Sequence, residues 1–277
     1  NSGVDIQLNW SDKIGKDFSY YAGVNLSTLR NRVKSLNGAP YIYGGSAESR
    51  TINLVGEEMQ SYYGYKVLGV YQNQAQIDAD PIAKANGLEP GDFIYEDINN
   101  DQVIDDKDRQ ILGSNIPRLT YSFNLGFQYK NLEFSLSTFG QAGNEIYNRK
   151  RAVRYTQANF NFDKDFYDNR WTGEGSTNTY PSAKGMLEAW NNSHTNSFFV
   201  EKGNFFRIQN IMLAYNFRNI RMGGYTLPGV KLSLTADRPF TYFTSNGFTP
   251  EISQNFGWDE GLYPLAATYT FGLTFDF

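Results

Sequence analysis

Apolar and polar positions alternate with a period of two along much of the chain, the signature of strands with two different faces. The cleanest case is "LTYSFNLGFQYK", with Leu119, Tyr121, Phe123, Leu125, Phe127 and Tyr129 on one face and Thr120, Ser122, Asn124, Gly126 and Gln128 on the other. The closing "ATYTFGLTFDF" repeats it, setting Ala267, Tyr269, Phe271, Leu273, Phe275 and Phe277 against Thr268, Thr270, Gly272, Thr274 and Asp276. The same pattern marks "VDIQLNW", "FSYYAGVNLST" (Phe18, Tyr20, Ala22, Val24, Leu26), "LEFSLSTFG", "NIMLAYNF" (Ile211, Leu213, Tyr215, Phe217) and "VKLSLTAD" (Val230, Leu232, Leu234, Ala236). This predicts an all-β chain of about seven strands, several of them near the roughly 9–11 residues that a tilted strand needs to cross a bilayer.

The links between these strands alternate in length. Short ones fall at 11–17, at Lys130-Asn131 and at 218–229, and long ones at about 31–117, 142–203 and 240–265. Short turns on one rim and long loops on the other describe a transmembrane antiparallel β-barrel, with the short turns periplasmic and the long loops extracellular. Bacterial barrels of one chain use an even number of strands from 8 upward, so about seven strands predict a segment of a larger barrel. The opening "NSGVDIQLNW" lacks the layout of a signal peptide, and together these features predict a C-terminal piece. The competing reading is a soluble secreted β-sandwich, a carbohydrate-binding module with a calcium-stabilised loop. Polar faces built from Ser, Thr, Asn, Gln and Gly, rather than from long charged side chains, favour the barrel.

Composition narrows the chemistry. Mean hydropathy is −0.53 over 277 residues, yet aromatics make up 16% and Cys is missing, which excludes disulfides, thiol catalysis and Cys-ligated zinc. A single histidine, His194, rules out a two-histidine metal site and reads as a polar loop residue. Net charge is −4 with the signs interspersed, so nucleic acid is not an expected partner. Adjacent carboxylates such as Glu57-Glu58 or Asp259-Glu260 point to opposite faces of a strand, and neither a phosphate-binding Gly-rich loop nor HExxH is present. No enzyme is predicted.

Three features remain as candidate sites. The stretch "EDINNDQVIDDKDR" fits the EF-hand spacing, with Asp97, Asn99, Asp101, the Val103 carbonyl, Asp105 and Asp108 as calcium ligands and Gln102 where Gly is usual. The other reading of that stretch is a solvated acidic turn closed by Asx hydrogen bonds. Aromatic residues of the long links, notably Tyr62, Tyr63, Trp171, Trp190, Tyr242 and Trp258, are candidates for contact with substrate or with a lid, since flat rings stack on sugars and peptides. The end of the chain, Tyr269, Phe271, Leu273, Phe275 and Phe277, has the form of an insertion signal that outer-membrane machinery could pair by strand addition.

Taken together, "GVYQ" (69–72), "PGDFIYEDINNDQVIDDKDRQILGSNIPRLTYSFNLGFQYKNLEFSLSTFGQAGNEIYN" (90–148), "NRWTGEG" and "YPSA" (169–183), "SFFVEKGNFFRIQNIMLAYNF" (197–217), "GFTPEIS" (247–253) and the aromatic terminus resemble SusC/RagA-type TonB-dependent outer-membrane transporters. They keep that family's order across most of the chain. The chain departs from it at Gln102, where Gly is usual, and at "DRPF", where Asn-Leu is frequent. The resemblance implies a 22-stranded barrel around a plug domain that lies outside this sequence. It also implies active import of oligosaccharides or peptides across the outer membrane of a Gram-negative bacterium, a SusD-like surface lipoprotein as lid, and energy from TonB through a region outside this sequence.

Overall fold

The computed structural model describes residues 1–46, 49–155, 159–252 and 257–276; Phe277, the last residue of the expected insertion signal, lies outside them. The chain opens with a hairpin of β1 (Ser2–Ile14) and β2 (Phe18–Arg30). A long connector follows, carrying β3 (Tyr41–Gly44), β4 (Thr51–Leu54), β5 (Ser61–Tyr65), β6 (Val67–Val70), α1 (Gln74–Ala79), α2 (Pro81–Asn86), β7 (Phe93–Tyr95) and β8 (Arg109–Gly113). The second hairpin is β9 (Leu119–Tyr129) and β10 (Leu132–Ala142). A second connector holds β11 (Glu145–Tyr147), α3 (Arg149–Tyr155), α4 (Lys164–Asn169), α5 (Ala189–Asn192) and β12 (Val200–Lys202). The third hairpin, β13 (Phe205–Met222) and β14 (Tyr225–Phe243), leads through a third connector to β15 (Thr268–Asp276).

The long strands form one seven-stranded antiparallel sheet in the order β1-β2-β9-β10-β13-β14-β15, hereafter the wall. Register puts like with like. Trp10, Ala22, Leu125, Leu136, Ile211, Ala236 and Tyr269 are successive partners across all seven strands, and the next row inward runs Asn9, Gly23, Asn124, Ser137, Asn210, Asp237 and Thr268. One face is therefore apolar from edge to edge and the other small and polar. The apolar face has no protein over it: Leu125 is 40% exposed, Leu234 55% and Phe271 64%. A soluble sandwich needs a second sheet on that face. None covers it among the described residues, and the sandwich reading falls.

Aromatic rings gather toward both ends of the apolar face. Near the hairpin turns, Phe18 stacks on Tyr20 and Phe127, and Tyr215 lies 4.7 Å from Phe217. Toward the connectors, Tyr121, Phe206, Phe240 and Tyr242 share the face. Tyr121 lies across Gly140, where a Cβ would meet its ring at 2.3 Å, so only glycine fits beneath it. Phe206 and Phe217 are eleven residues apart, roughly 36 Å along a strand and roughly 25 Å along the normal of a sheet tilted by about 45°. That matches the apolar band of an outer-membrane barrel between its aromatic girdles.

The wall carries one irregularity. Register shifts between Ser137 and Thr138 and between Ile208 and Asn210, and opposite them Arg238 takes φ 52 beside Pro239, which cannot donate to a ladder. The Thr138 hydroxyl accepts from the Phe123 N–H at 3.0 Å and donates to its carbonyl at 3.1 Å, so a side chain replaces the lost backbone pairing. Strand ends also outrun the sequence pattern. The expected link 218–229 is strand except at Gly223-Gly224, and β14 continues to Phe243, because the ladder persists where side-chain polarity no longer alternates.

The buried core lies in the connectors rather than in the wall. There β3-β4-β5-β8 form a four-stranded sheet, and β6-β7 and β11-β12 form two-stranded ones. Tyr62, Tyr65, Phe93, Tyr95, Tyr147, Tyr155, Phe166, Met186 and Phe199 meet in one cluster drawn from the first two connectors, with Trp258 of the third packed against it. These connectors form a roof at one rim of the wall.

Candidate functional site

The polar face of the wall is knit by side-chain hydrogen bonds. Asn25 donates to Ser122 (2.9 Å), Asn210 to Asp237 (2.7 Å) and Asn216 to Glu133 (2.6 Å), while Lys231 pairs with Glu133 at 2.5 Å. Near the roof the character changes. Phe139 and Phe205 are in ring contact, and Arg207, almost wholly buried, donates to Thr241 and pairs with Glu251 of the third connector at 2.9 Å. This face can present hydroxyls, amides and balanced charges to a hydrated solute.

The roof absorbs most of the aromatic residues expected at a contact surface. Tyr62 is fully buried and its hydroxyl donates to the Gly257 carbonyl at 2.8 Å, so it cannot meet a lid or a substrate. Trp190 donates to the Phe93 carbonyl at 2.8 Å and takes the Tyr95 hydroxyl on its own carbonyl at 2.9 Å. Trp171 packs against Gly91, and Trp258 bridges to Tyr147 with the Arg149 guanidinium 5.5 Å above its ring. Burial pushes the hydroxyl pKa of Tyr62 and Tyr95 well above the usual tyrosine value. Tyr242 is in neither group: it stands on the apolar outer face of β14, opposite Phe206. Tyr63 joins an exposed aromatic surface within the roof, 5.9 Å from Tyr43, which touches Tyr41 at 4.7 Å and lies under the Arg50 guanidinium. The expected insertion residues Tyr269, Phe271, Leu273 and Phe275 occupy the outer face of β15, at one edge of the wall.

The acidic loop closes on itself. Asp97 accepts the N–H groups of Asp101 and Gln102, Asn99 accepts that of Asp101, and Asp101 that of Val103. Gln102 takes φ 65, the left-handed geometry that favours Gly. Asp105 caps a short 3₁₀ turn, Asp106–Asp108, by accepting the Lys107 N–H. Asp108 is fully buried and spends both oxygens on the N–H groups of Ile98 and Asp105. The Lys107 ammonium lies 3.3 Å from Asp101 and 3.4 Å from Asp105. Hydrogen bonding from Asn99, with help from Val103 and Lys107, holds the Asp101 carboxyl below its usual range. Among the described residues no three acidic side chains converge on a point that could hold a cation. The Lys107 ammonium supplies positive charge beside Asp101 and Asp105.

A second cluster left no mark in the sequence pattern. Arg151 of α3 is 3% exposed, and its guanidinium donates to the Tyr155 hydroxyl (3.0 Å), Glu201 of β12 (3.1 Å) and Asp165 of α4 (3.2 Å). The rings of Tyr155, Tyr180 and Phe198 enclose it at 5.4, 5.8 and 5.4 Å. Burial alone would lower its pKa, but Tyr155, Glu201 and Tyr180 outweigh that and raise it, so the charge is permanent. Asn246 of the third connector donates to Asp165 (2.9 Å) and Glu201 (2.5 Å), tying two connectors together.

No family model matches the chain. TonB-dependent receptor P26 of Formosa agariphila is 31% identical over 294 residues, covering 100% of this chain and 29% of the relative. TonB-dependent receptor SusC of Bacteroides thetaiotaomicron is 24% identical over 282 residues, again covering 100% of this chain and 26% of the relative. Among solved structures, one of the RagAB peptide transporter superposes with a TM-score of 0.77 at 20% identity, covering 99% of this chain and 29% of that one. The RagAB peptide importer in its open-open state gives 0.75 at 21%. The chain thus spans 26–29% of the length of these two relatives. No helix among the described residues is long and apolar enough to cross a membrane, while the wall has the apolar band and girdles of a barrel that crosses with strands. The chain is a homologue of TonB-dependent receptors, SusC among them, over about a quarter of their length, and it forms seven strands of the wall of an outer-membrane β-barrel.

Proposed function

We propose that this chain is the C-terminal part of a TonB-dependent importer that carries nutrient oligomers, oligosaccharides or peptides, across the outer membrane of a Gram-negative bacterium. The observation that carries the reading is the division of one sheet into an uncovered, girdled apolar face and a hydrogen-bonded polar face, beneath a roof of ordered connectors. The apolar face meets lipid, the polar face lines the route, and the roof looks outward, where a SusD-like lipoprotein would sit as lid. Energy would come from TonB through parts of the transporter outside this chain. The likeness to receptors named SusC and to a peptide importer supports import, and nothing in the wall or roof calls for catalysis. The acidic loop serves as a clasp within the roof.

Uptake of labelled oligosaccharides and oligopeptides by cells with and without the whole protein tests this. Loss of uptake of one class in the deletion strain, abolished equally by collapsing the proton gradient in the parent, is the expected result. Unchanged uptake of both classes in the deletion strain overturns the reading.

A further inference from the structure

On the rim away from the roof, the hairpin of β13 and β14 outruns the wall. β10 starts at Leu132, opposite Tyr215, and β15 pairs no further than Asp276, opposite Gly229, among the described residues. The hairpin ladder continues with Arg218 opposite Gly229, Ile220 opposite Leu227, Arg221 opposite Thr226 and Met222 opposite Tyr225. Arg218–Met222 therefore projects roughly 17 Å past its neighbours, at about 3.4 Å per residue, with no strand on its outer side among the described residues. Polarity turns over at the same level. In the wall the outer row is apolar as far as Phe217 and Val230; beyond them it carries Arg221 and Thr226, while the inner row, after Arg218, carries Ile220 with Leu227 and Met222 with Tyr225. An arginine on the outer row marks strand that has left the hydrocarbon.

An unpaired edge is a template for another strand, and proteins blunt the edges they keep free. The β14 side of this hairpin is blunted by Pro228, which has no N–H to give. The β13 side has no proline, and its exposed Arg218 and Arg221 are the only charged residues between Tyr215 and Lys231. We propose that the edge Arg218–Met222 is paired by an extended acidic segment of a periplasmic protein, added to β13 as one further strand. Such a strand would tether the periplasmic rim of the transporter to that partner. Charge selects it: acidic side chains would lie beside Arg218 and Arg221 and an apolar one beside Ile220, and the exposed Lys130 of the neighbouring turn adds to the positive field. A second copy of this chain would set the two arginines against their own kind. A lipid headgroup could reach Arg221 on the outer row but not Arg218 on the inner. The proposal goes beyond the import reading and rests on it only for the side of the membrane that this rim faces.

The test uses the whole transporter in detergent and, as probe, a fluorescent decapeptide of alternating Val and Glu, with the alternating Val-Lys decapeptide as control, read by anisotropy. The Val-Glu peptide should bind about tenfold more tightly than the Val-Lys peptide, and Arg218→Glu together with Arg221→Glu should invert that order. Replacing residues 219–228 by Asn-Gly, which cuts the hairpin back to its neighbours, should abolish binding and leave the melting temperature unchanged. No binding of the Val-Glu peptide, binding that survives the cut-back, or a preference indifferent to the charge reversal each overturns the proposal. Absence of peptide binding, with phosphatidylglycerol retained by the unaltered transporter and lost on charge reversal, would overturn it by assigning the arginines to lipid headgroups. Lys16→Cys, on the exposed turn of the same rim in a transporter otherwise free of cysteine, should react with a membrane-impermeant maleimide only after the outer membrane is opened. Labelling in intact cells would overturn the orientation together with the proposal, whereas failed peptide binding with labelling as expected overturns the proposal alone and leaves the import reading standing.

Discussion

The wall and the roof use the same aromatic residues in opposite ways. In the wall, Phe123, Leu125, Tyr215 and Phe271 are exposed, and order comes from the backbone ladder between seven strands. In the roof, Tyr62, Tyr147, Phe93 and Phe166 are fully buried, and a charged arginine is buried with them. A polypeptide facing lipid need not hide its apolar groups, whereas one facing water must, and it must then pair every polar group it carries inside. The contrast shows that aromatic content alone says nothing about burial. The solvent beyond each region decides it.

The largest break in this contrast should come from Arg151→Met. It leaves the largely buried Glu201 and the part-exposed Asp165 without their cation, which should cost the roof about 3 kcal/mol, the low end for a buried pair. Hydrogen exchange would then rise through α3, α4 and the third connector, with the wall strands still protected; loss of protection in the wall as well would show that the two regions are not separable. Next, Phe123→Arg or Leu125→Arg should cost about 2–4 kcal/mol if that face meets lipid at mid-depth, and Asn124→Arg much less. Refolding titrations into lipid vesicles would measure this, and equal costs at neighbouring positions would refute the facing.

Alkaline pH should separate the regions without mutation. Burial raises the Tyr62 and Tyr95 hydroxyls, so each favours folding fully below the unfolded tyrosine pKa of about 10 and loses that contribution as pH climbs above it. Tyrosinate absorbance should appear together with loss of near-UV dichroism from the roof, while the strand signal of the wall persists. Simultaneous loss of both signals would contradict a roof that titrates independently. The smallest effect is expected at the clasp: Gln102→Gly should relieve a left-handed residue and gain about 1 kcal/mol or less in local opening. The same loop should give no calcium heat in calorimetry while Lys107 is present, and a heat from the unaltered protein would show that the ammonium yields to the ion.

The wall was legible before any coordinates. A period of two reports facing directly, and a polar face of Ser, Thr, Asn and Gly beside an apolar one separates a barrel from a sandwich. Tyr62 and Tyr242 were misplaced for a related reason. In a five-residue strand such as β5, Ser61–Tyr65, either face can turn to a core, and nothing local tells which. At Tyr242 the ladder carried β14 beyond the bulge at Arg238, where alternation had already lapsed. Arg151 gave no signal, because its carboxylate partners Asp165 and Glu201 lie 14 and 50 positions away and meet it only when the second connector folds.

By itself the sequence determined the seven strands of the wall and their facing, because each depends on neighbours two residues apart in a repeating chain. It also determined the acidic loop's spacing. Only the tertiary structure decided which aromatics are core and which are surface, that Lys107 lies beside Asp101 and Asp105, and that a buried arginine gathers the roof. Those outcomes rest on contacts between segments far apart in the chain, whose energies exist only once the segments meet.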